Sequence, residues 1–167
     1  MKKKKKINNL IVASLISALI TLSILIFKVP TAFNNGYIHI GDVFVYMAGA
    51  LLPWNYAFFA ATIGAGLADI LNGAIIWVIP TIIIKGIITL FFTSKNRNII
   101  NKRNIIALLL SAIFGVLGYY LYGALITGNF ITPLITLGME IVQPIVSGIV
   151  FIIIGLSLDK INFKNRF

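Results

Sequence analysis

Gly36-Tyr37-Ile38-His39-Ile40-Gly41-Asp42 opens the stretch that decides the reading of this chain. An apolar run follows and breaks at Pro53-Trp54-Asn55. Then come Gly64-Ala65-Gly66-Leu67-Ala68-Asp69, Asn72, Trp77 and, inside another apolar run, Lys85. Asp42, Asp69, Lys85 and the lone His39 thus sit among residues that otherwise belong in lipid. Ionisable side chains at membrane depth are expensive, and their presence there points to function.

The rest of the sequence places that stretch in a bilayer. Of 167 residues, 59% are hydrophobic and only 11% charged, and mean hydropathy is +1.01. A soluble domain would be about 25% charged. The composition predicts an all-α polytopic membrane protein, a single transmembrane domain over 1–167. Cysteine is absent, which excludes disulfides, thiolate nucleophiles and cysteine metal sites. The net charge of +10 is explained by basic loops that set orientation, so no nucleic-acid partner is expected. Met1–Lys6 looks like the start of a signal peptide. The apolar run after it, Leu10–Phe27, is long for one and lacks a small-residue cleavage site, so it is expected to be a retained first span.

Six spans are expected, at about 10–27, 40–52, 55–72, 75–93, 104–126 and 133–158. The second and third could instead form one helix kinked at Pro53. Charge favours separating them. Of the fourteen basic residues, five lie in Lys2–Lys6, four between Ser94 and Asn104, and three from Lys160 onward. Six spans put all three clusters on one side, which the positive-inside rule makes cytoplasmic, with both termini inside. The second span is then short: Val43–Leu52 covers only about 15 Å of a hydrocarbon core of about 30 Å. Either it starts near Tyr37 or its neighbours shield it. The segment Lys28–Gly41 becomes a long outer loop, a candidate lid.

In this arrangement the polar groups gather near the outer face. Asp69 and Asn72 end the third span, Asp42 begins the second and Trp77 the fourth. Lys85 lies about 12 Å inward of Trp77, and Glu140 about 10 Å inward of Pro133, with Gln143 one turn on. Lys85 and Glu140 are therefore expected to pair, either as a structural ion pair or as part of a ligand pocket. The candidate ligand-binding residues are His39, Asp42, Asp69, Asn72, Trp77, Lys85, Tyr122, Glu140 and Gln143. Asp42 and Asp69 could equally be helix-end residues facing water, and His39 a solvated loop residue. Tyr119, Tyr120 and Tyr122 fit a pocket wall or an interfacial belt.

Small residues four apart let helices approach closely. Ala13, Ser17 and Thr21 make one such stripe, with Ser14 and Ala18 beside it; Ala60, Gly64 and Ala68 make another. Either one could pack internally or dock a partner. Phosphate-loop, zinc-protease and nucleophile-elbow motifs are missing. Neither catalysis nor a cofactor or metal is expected, although an intramembrane enzyme or a structural membrane protein remains the rival class.

The stretch Gly36–Asp42, together with Ala48-Gly49-Ala50-Leu51-Leu52-Pro53, Gly64–Asp69, Trp77 and Ile83-Ile84-Lys85-Gly86, resembles the substrate-binding S components of energy-coupling factor (ECF) transporters. The resemblance implies a six-helix capture subunit in the bacterial plasma membrane, with no ATPase activity of its own. Its partners would be a transmembrane T component, two cytoplasmic ATPases and a vitamin-like micronutrient. It also implies that first-span small residues, here Ala13, Ser14, Ser17 and Ala18, contact the T component, and that the ligand sits under the first outer loop. Within the family, Tyr37–Asp42 with Leu51-Leu52-Pro53 is most similar to the queuosine-precursor group. Riboflavin, pyridoxine and hydroxymethylpyrimidine are the alternative ligands.

The orientation has a direct test. Single cysteines at Asn98 and Asn129, in a chain that has none of its own, are expected to react differently in intact cells. Position 129 should label from outside and position 98 only after permeabilisation. External labelling at 98 would overturn the orientation.

Overall fold

In the computed structural model, which describes residues 2–30 and 37–166, the chain folds as six helices. α1 spans Lys2–Ile26, α2 Asp42–Leu51, α3 Trp54–Leu71, α4 Val78–Phe91, α5 Lys102–Thr127 and α6 Leu134–Lys160. A 3₁₀ turn, Ile75–Trp77, leads into α4, and another, Phe163–Arg166, follows α6. Between α1 and α2, β1 (Lys28–Pro30) pairs antiparallel with β2 (Tyr37–His39), Lys28 opposite His39. The flanks of the expected lid are thus a short hairpin, while its centre, 31–36, lies outside the described residues.

Among the described residues, three helices are long and apolar enough to cross a bilayer: α1 from Lys6 to Ile26, α5 and α6. Leu15, Leu109 and Ile153 are among the large apolar side chains they leave exposed. Such faces suit lipid, which competes for them no worse than protein does. The chain is a multi-pass membrane protein.

α2 is different. Its ten residues reach only about 15 Å. It begins at Asp42 rather than near Tyr37, and eight of its ten residues are buried. It packs against α1, α3, α4 and α6, so its neighbours shield it. A short helix is tolerated at membrane depth when protein, not lipid, surrounds its ends. The break after it is complete. Leu52 and Pro53 are both extended, and α3 restarts at Trp54 as a separate helix. Proline disfavours helix in the residue before it and has no N–H to continue the ladder.

The turn from α3 to α4 is a Schellman cap. The Ala74 N–H donates to the Asp69 carbonyl (2.9 Å) and the Gly73 N–H to that of Ile70 (3.1 Å). Gly73 takes φ +72°, the left-handed region that favours glycine. At the opposite end, buried Asn104 donates to the carbonyls of Thr93 and Ile99 and accepts from the Thr93 N–H. Asp159, in the last turn of α6, accepts from the Ile99 and Ile100 N–H groups at 2.7 and 2.9 Å. The basic connection between α4 and α5 is thereby pinned from both sides.

Both small-residue stripes meet in one seam. Gly64 of α3 faces Ser17 and Ile20 of α1, and the Thr21 hydroxyl donates to the Gly64 carbonyl at 2.9 Å. Ala60, Ala61, Ala65 and Ala68 are all buried. The α3 stripe therefore packs internally. On α1, Ala13 is buried and Ser17 half-buried, whereas Ser14 and Ala18 are exposed.

A side chain at Gly64 has no room. An added Cβ would lie 2.6 Å from the Ser17 carbonyl oxygen, which is backbone and cannot rotate away. Gly64→Ala is expected to force α1 off α3 and cost about 1–3 kcal/mol, read as a lower unfolding midpoint in detergent. Gly66→Ala, whose nearest neighbour is the flexible Ile82 side chain, should lose clearly less.

Candidate functional site

Lys85 is the natural starting point because it is almost wholly buried on α4, an otherwise apolar helix. A buried ammonium must be met by charge and hydrogen bonds. Its Nζ lies 2.6 Å from Asp42 Oδ1 and 5.2 Å from the centre of the Tyr119 ring. Lys85 does not pair with Glu140, as its spacing from Trp77 suggested. The reason is the position of α2. Because that helix is short, its first turn starts level with Lys85, and Asp42 reaches the ammonium from the middle of the bundle. Asp42 is no water-facing helix end.

The second oxygen of Asp42 is held from α6. Gln143 Nε2 donates to Asp42 Oδ2 at 2.9 Å, while Gln143 Oε1 accepts the His39 backbone N–H at 3.1 Å. Gln143 thus couples α6, α2 and the hairpin in one network. The His39 imidazole accepts the Gly41 N–H on Nδ1 (3.0 Å). Burial, reinforced by Lys85 and opposed by Asp42, pushes its pKa down to about 4. At neutral pH it is uncharged, with its proton on Nε2. His39 is a built-in part of the site rather than a solvated loop residue.

These groups surround a cavity of about 50 Å³. Its lining joins His39 and Asp42 to Lys85, to Ser111 and Tyr119 of α5, and to Glu140, Gln143 and Pro144 of α6. Five of the nine ligand-site candidates, His39, Asp42, Lys85, Glu140 and Gln143, therefore share one cavity wall. Glu140 Oε1 accepts from the Thr136 hydroxyl at 2.9 Å, while Oε2 is buried with no hydrogen-bond partner. The Ser111 hydroxyl is in the same condition.

The other candidates fasten the roof. The Tyr37 hydroxyl donates to Asp69, and the Lys28 ammonium to Asn72, so both strands are tied to the end of α3. Burial, with Asp69 beside it, holds the Tyr37 hydroxyl above its usual pKa range, so it remains a donor. Tyr122 donates to the Ile76 carbonyl at 2.7 Å, and its ring lies 5.5 Å from that of Trp77. Asp69, Asn72, Trp77 and Tyr122 do not line the cavity. Among the tyrosines, Tyr119 is the wall: its hydroxyl donates to Thr81 (3.2 Å) and its face meets Lys85.

Sequence reasoning gave no role to Ser111 or Pro144. Ser111 was legible only as a lone hydroxyl interrupting an apolar run. Pro144 has no N–H, so the Glu140 carbonyl one turn earlier loses its regular helical donor beside the cavity. Chemically the site can bind. Its acids are partnered or isolated, and among the described residues no group of three His, Cys, Asp or Glu could hold a metal.

Comparison with known proteins gives the following matches. Residues 4–160 match the family model described as ECF-type riboflavin transporter, S component. An uncharacterised protein from the gap 3′ region of Pyrococcus woesei is 28% identical over 103 residues, 60% of this chain and 68% of its own length. A solved S component for biotin from an ECF-type ABC transporter superposes with a TM-score of 0.70 at 20% identity. It covers 96% of this chain and 95% of its own, and it supports the fold.

The ion pair makes its own prediction. Lys85→Met leaves Asp42 buried without its counter-charge and is expected to cost about 3–5 kcal/mol. Adding Asp42→Asn should restore much of that loss. Unfolding midpoints of the two single variants and the double variant, purified in detergent, read the coupling. A Lys85→Met midpoint equal to the parent's would show that the pair does not hold the bundle.

Proposed function

This chain belongs to the family of ECF-type riboflavin transporter S components, and we propose that it captures a heteroaromatic micronutrient of the queuosine-precursor class. As an S component it is a substrate-binding membrane subunit, not an enzyme, and works with an ECF transporter module. The observation that carries the ligand reading is the cavity under the hairpin. An ion pair, an amide, a carboxylate and the Tyr119 face converge there from four elements. Few fixed polar groups beside an aromatic wall are what a flat, hydrogen-bonding ring requires. The similarity of Tyr37–Asp42 and Leu51-Leu52-Pro53 to the queuosine-precursor group supports that class. Riboflavin is the second reading, favoured by the description of the matching family.

At about 50 Å³ the cavity is smaller than a heteroaromatic ring. Capture therefore involves displacement of the hairpin, against the Tyr37–Asp69, Lys28–Asn72 and His39–Gln143 hydrogen bonds. In this reading the hairpin faces outward, the basic end is cytoplasmic, and the host membrane is the bacterial plasma membrane.

Partner docking belongs to the face of α1 beside the seam. Ser14 and Ala18 line an open groove between α1 and α3, with Ala13, Ser17, Tyr56 and Phe59. The proposed partner there is the T component, coupled to two ATPase subunits. Ser14→Leu and Ala18→Leu are expected to weaken co-purification with a T component while leaving ligand affinity unchanged. Ala13→Leu should instead lower stability, because Ala13 is buried.

The ligand itself is tested by mass spectrometry of small molecules released from the purified, denatured protein. A 7-deazaguanine is the expected species. Riboflavin or another vitamin would replace the assignment.

A further inference from the structure

The donors and acceptors left over in the cavity say more about the ligand than the cavity's shape does. Both Asp42 oxygens are taken, one by Lys85 and one by Gln143. Gln143 is used at both ends. Lys85 gives one hydrogen bond to Asp42 and lies over the Tyr119 face. The His39 Nδ1 is engaged by Gly41. Of the side-chain atoms in the lining, Glu140 Oε2 and Ser111 Oγ are the ones buried without a hydrogen-bond partner. Pro144 gives no N–H to the Glu140 carbonyl, so that oxygen lacks its regular helical donor.

The charge is equally one-sided. Asp42 and Lys85 neutralise each other, and the lining contains no second cationic side chain to meet Glu140. Beside the N–H groups that Lys85 and His39 retain, the cavity thus keeps an unpartnered carboxylate oxygen on α6 that no cationic side chain of the lining balances.

We infer that Glu140 receives a positively charged nitrogen of the ligand, so that the transported molecule is a heteroaromatic cation. The nitrogen donates to Glu140 Oε2 and supplies the counter-charge that the protein withholds. Ser111, on the facing helix, takes a ring heteroatom. Charge-assisted hydrogen bonds of this kind are about twice as strong as neutral ones. A carboxylate ligand would meet like charge at the same position and be rejected. The inference rests on the proposal that this cavity binds the transported micronutrient.

A matched pair of probes tests it. 7-Aminomethyl-7-deazaguanine carries a protonated amine at neutral pH; 7-cyano-7-deazaguanine has the same ring and no charge. Titration calorimetry of the purified protein, with riboflavin as a further neutral probe, is expected to favour the aminomethyl compound at least tenfold, about 1.4 kcal/mol. Glu140→Gln, which keeps the shape and the bond from Thr136, should abolish that preference. Equal or tighter binding of a neutral probe by the unaltered protein would overturn the inference and leave the capture function standing. Binding of none of the three, with no ligand released on denaturation, would overturn both. The comparison of probes on the unaltered chain decides the matter even if Glu140→Gln fails to fold.

Discussion

A buried lysine allows a membrane protein few arrangements, and in this chain the arrangement is set by Lys85 meeting Asp42. Taking an ammonium out of water costs several kcal/mol unless a carboxylate compensates it. The carboxylate comes from the first turn of α2, which must therefore start deep in the bundle and remain short. From that follow the central position of α2, its burial by four neighbouring helices, and the hairpin that carries the chain down to Asp42. Gln143 and Tyr119 are placed by the same pair, one completing the shell of Asp42 and the other lying under the ammonium.

The helices were legible because their signals are local. Apolar runs, Pro53 and the clustered basic residues each act within a few positions, and they separate six helices. Part of the cavity lining was legible too, since His39, Asp42, Lys85, Glu140 and Gln143 stand out against an apolar background, whereas Ser111 and Pro144 do not. Their partnership was not. Depth was counted along each helix from an assumed common surface, and that counting fails for a helix that begins below it. Asp42 was therefore set at the rim and Glu140 opposite Lys85. Asp69, Asn72, Trp77 and Tyr122 are polar or aromatic at the same end, but they are spent on fastening the hairpin and the 3₁₀ turn. No rule of spacing separates a residue that lines a cavity from one that ties down its cover. The two small-residue stripes show the same limit: only the facing helix tells that Gly64 is filled by Ser17 and that Ser14 is not covered.

The site divides its polar groups by what each can still do. Asp42, Lys85 and Gln143 form a network bonded within the protein, and such a network fixes geometry. Glu140 and Ser111 keep unused atoms and, in the proposed capture role, would discriminate among ligands. A transporter built in that way would change its substrate by altering α5 and α6 at a few positions while retaining the Asp42–Lys85 frame.

The shortness of α2 has one more consequence, and it concerns the bilayer. A membrane that thickens or thins is accommodated by tilt in the helices that span it. Among the described helices α1, α5 and α6 are long enough to do so, whereas α2 is enclosed by protein and has no hydrophobic length to match. Tyr119 and Glu140 ride on helices that respond to lipid chain length; Asp42 rides on one that does not. The two halves of the cavity wall are thus coupled to the membrane unequally, and the fit of the proposed ligand between them would become a property of the protein together with the lipid around it.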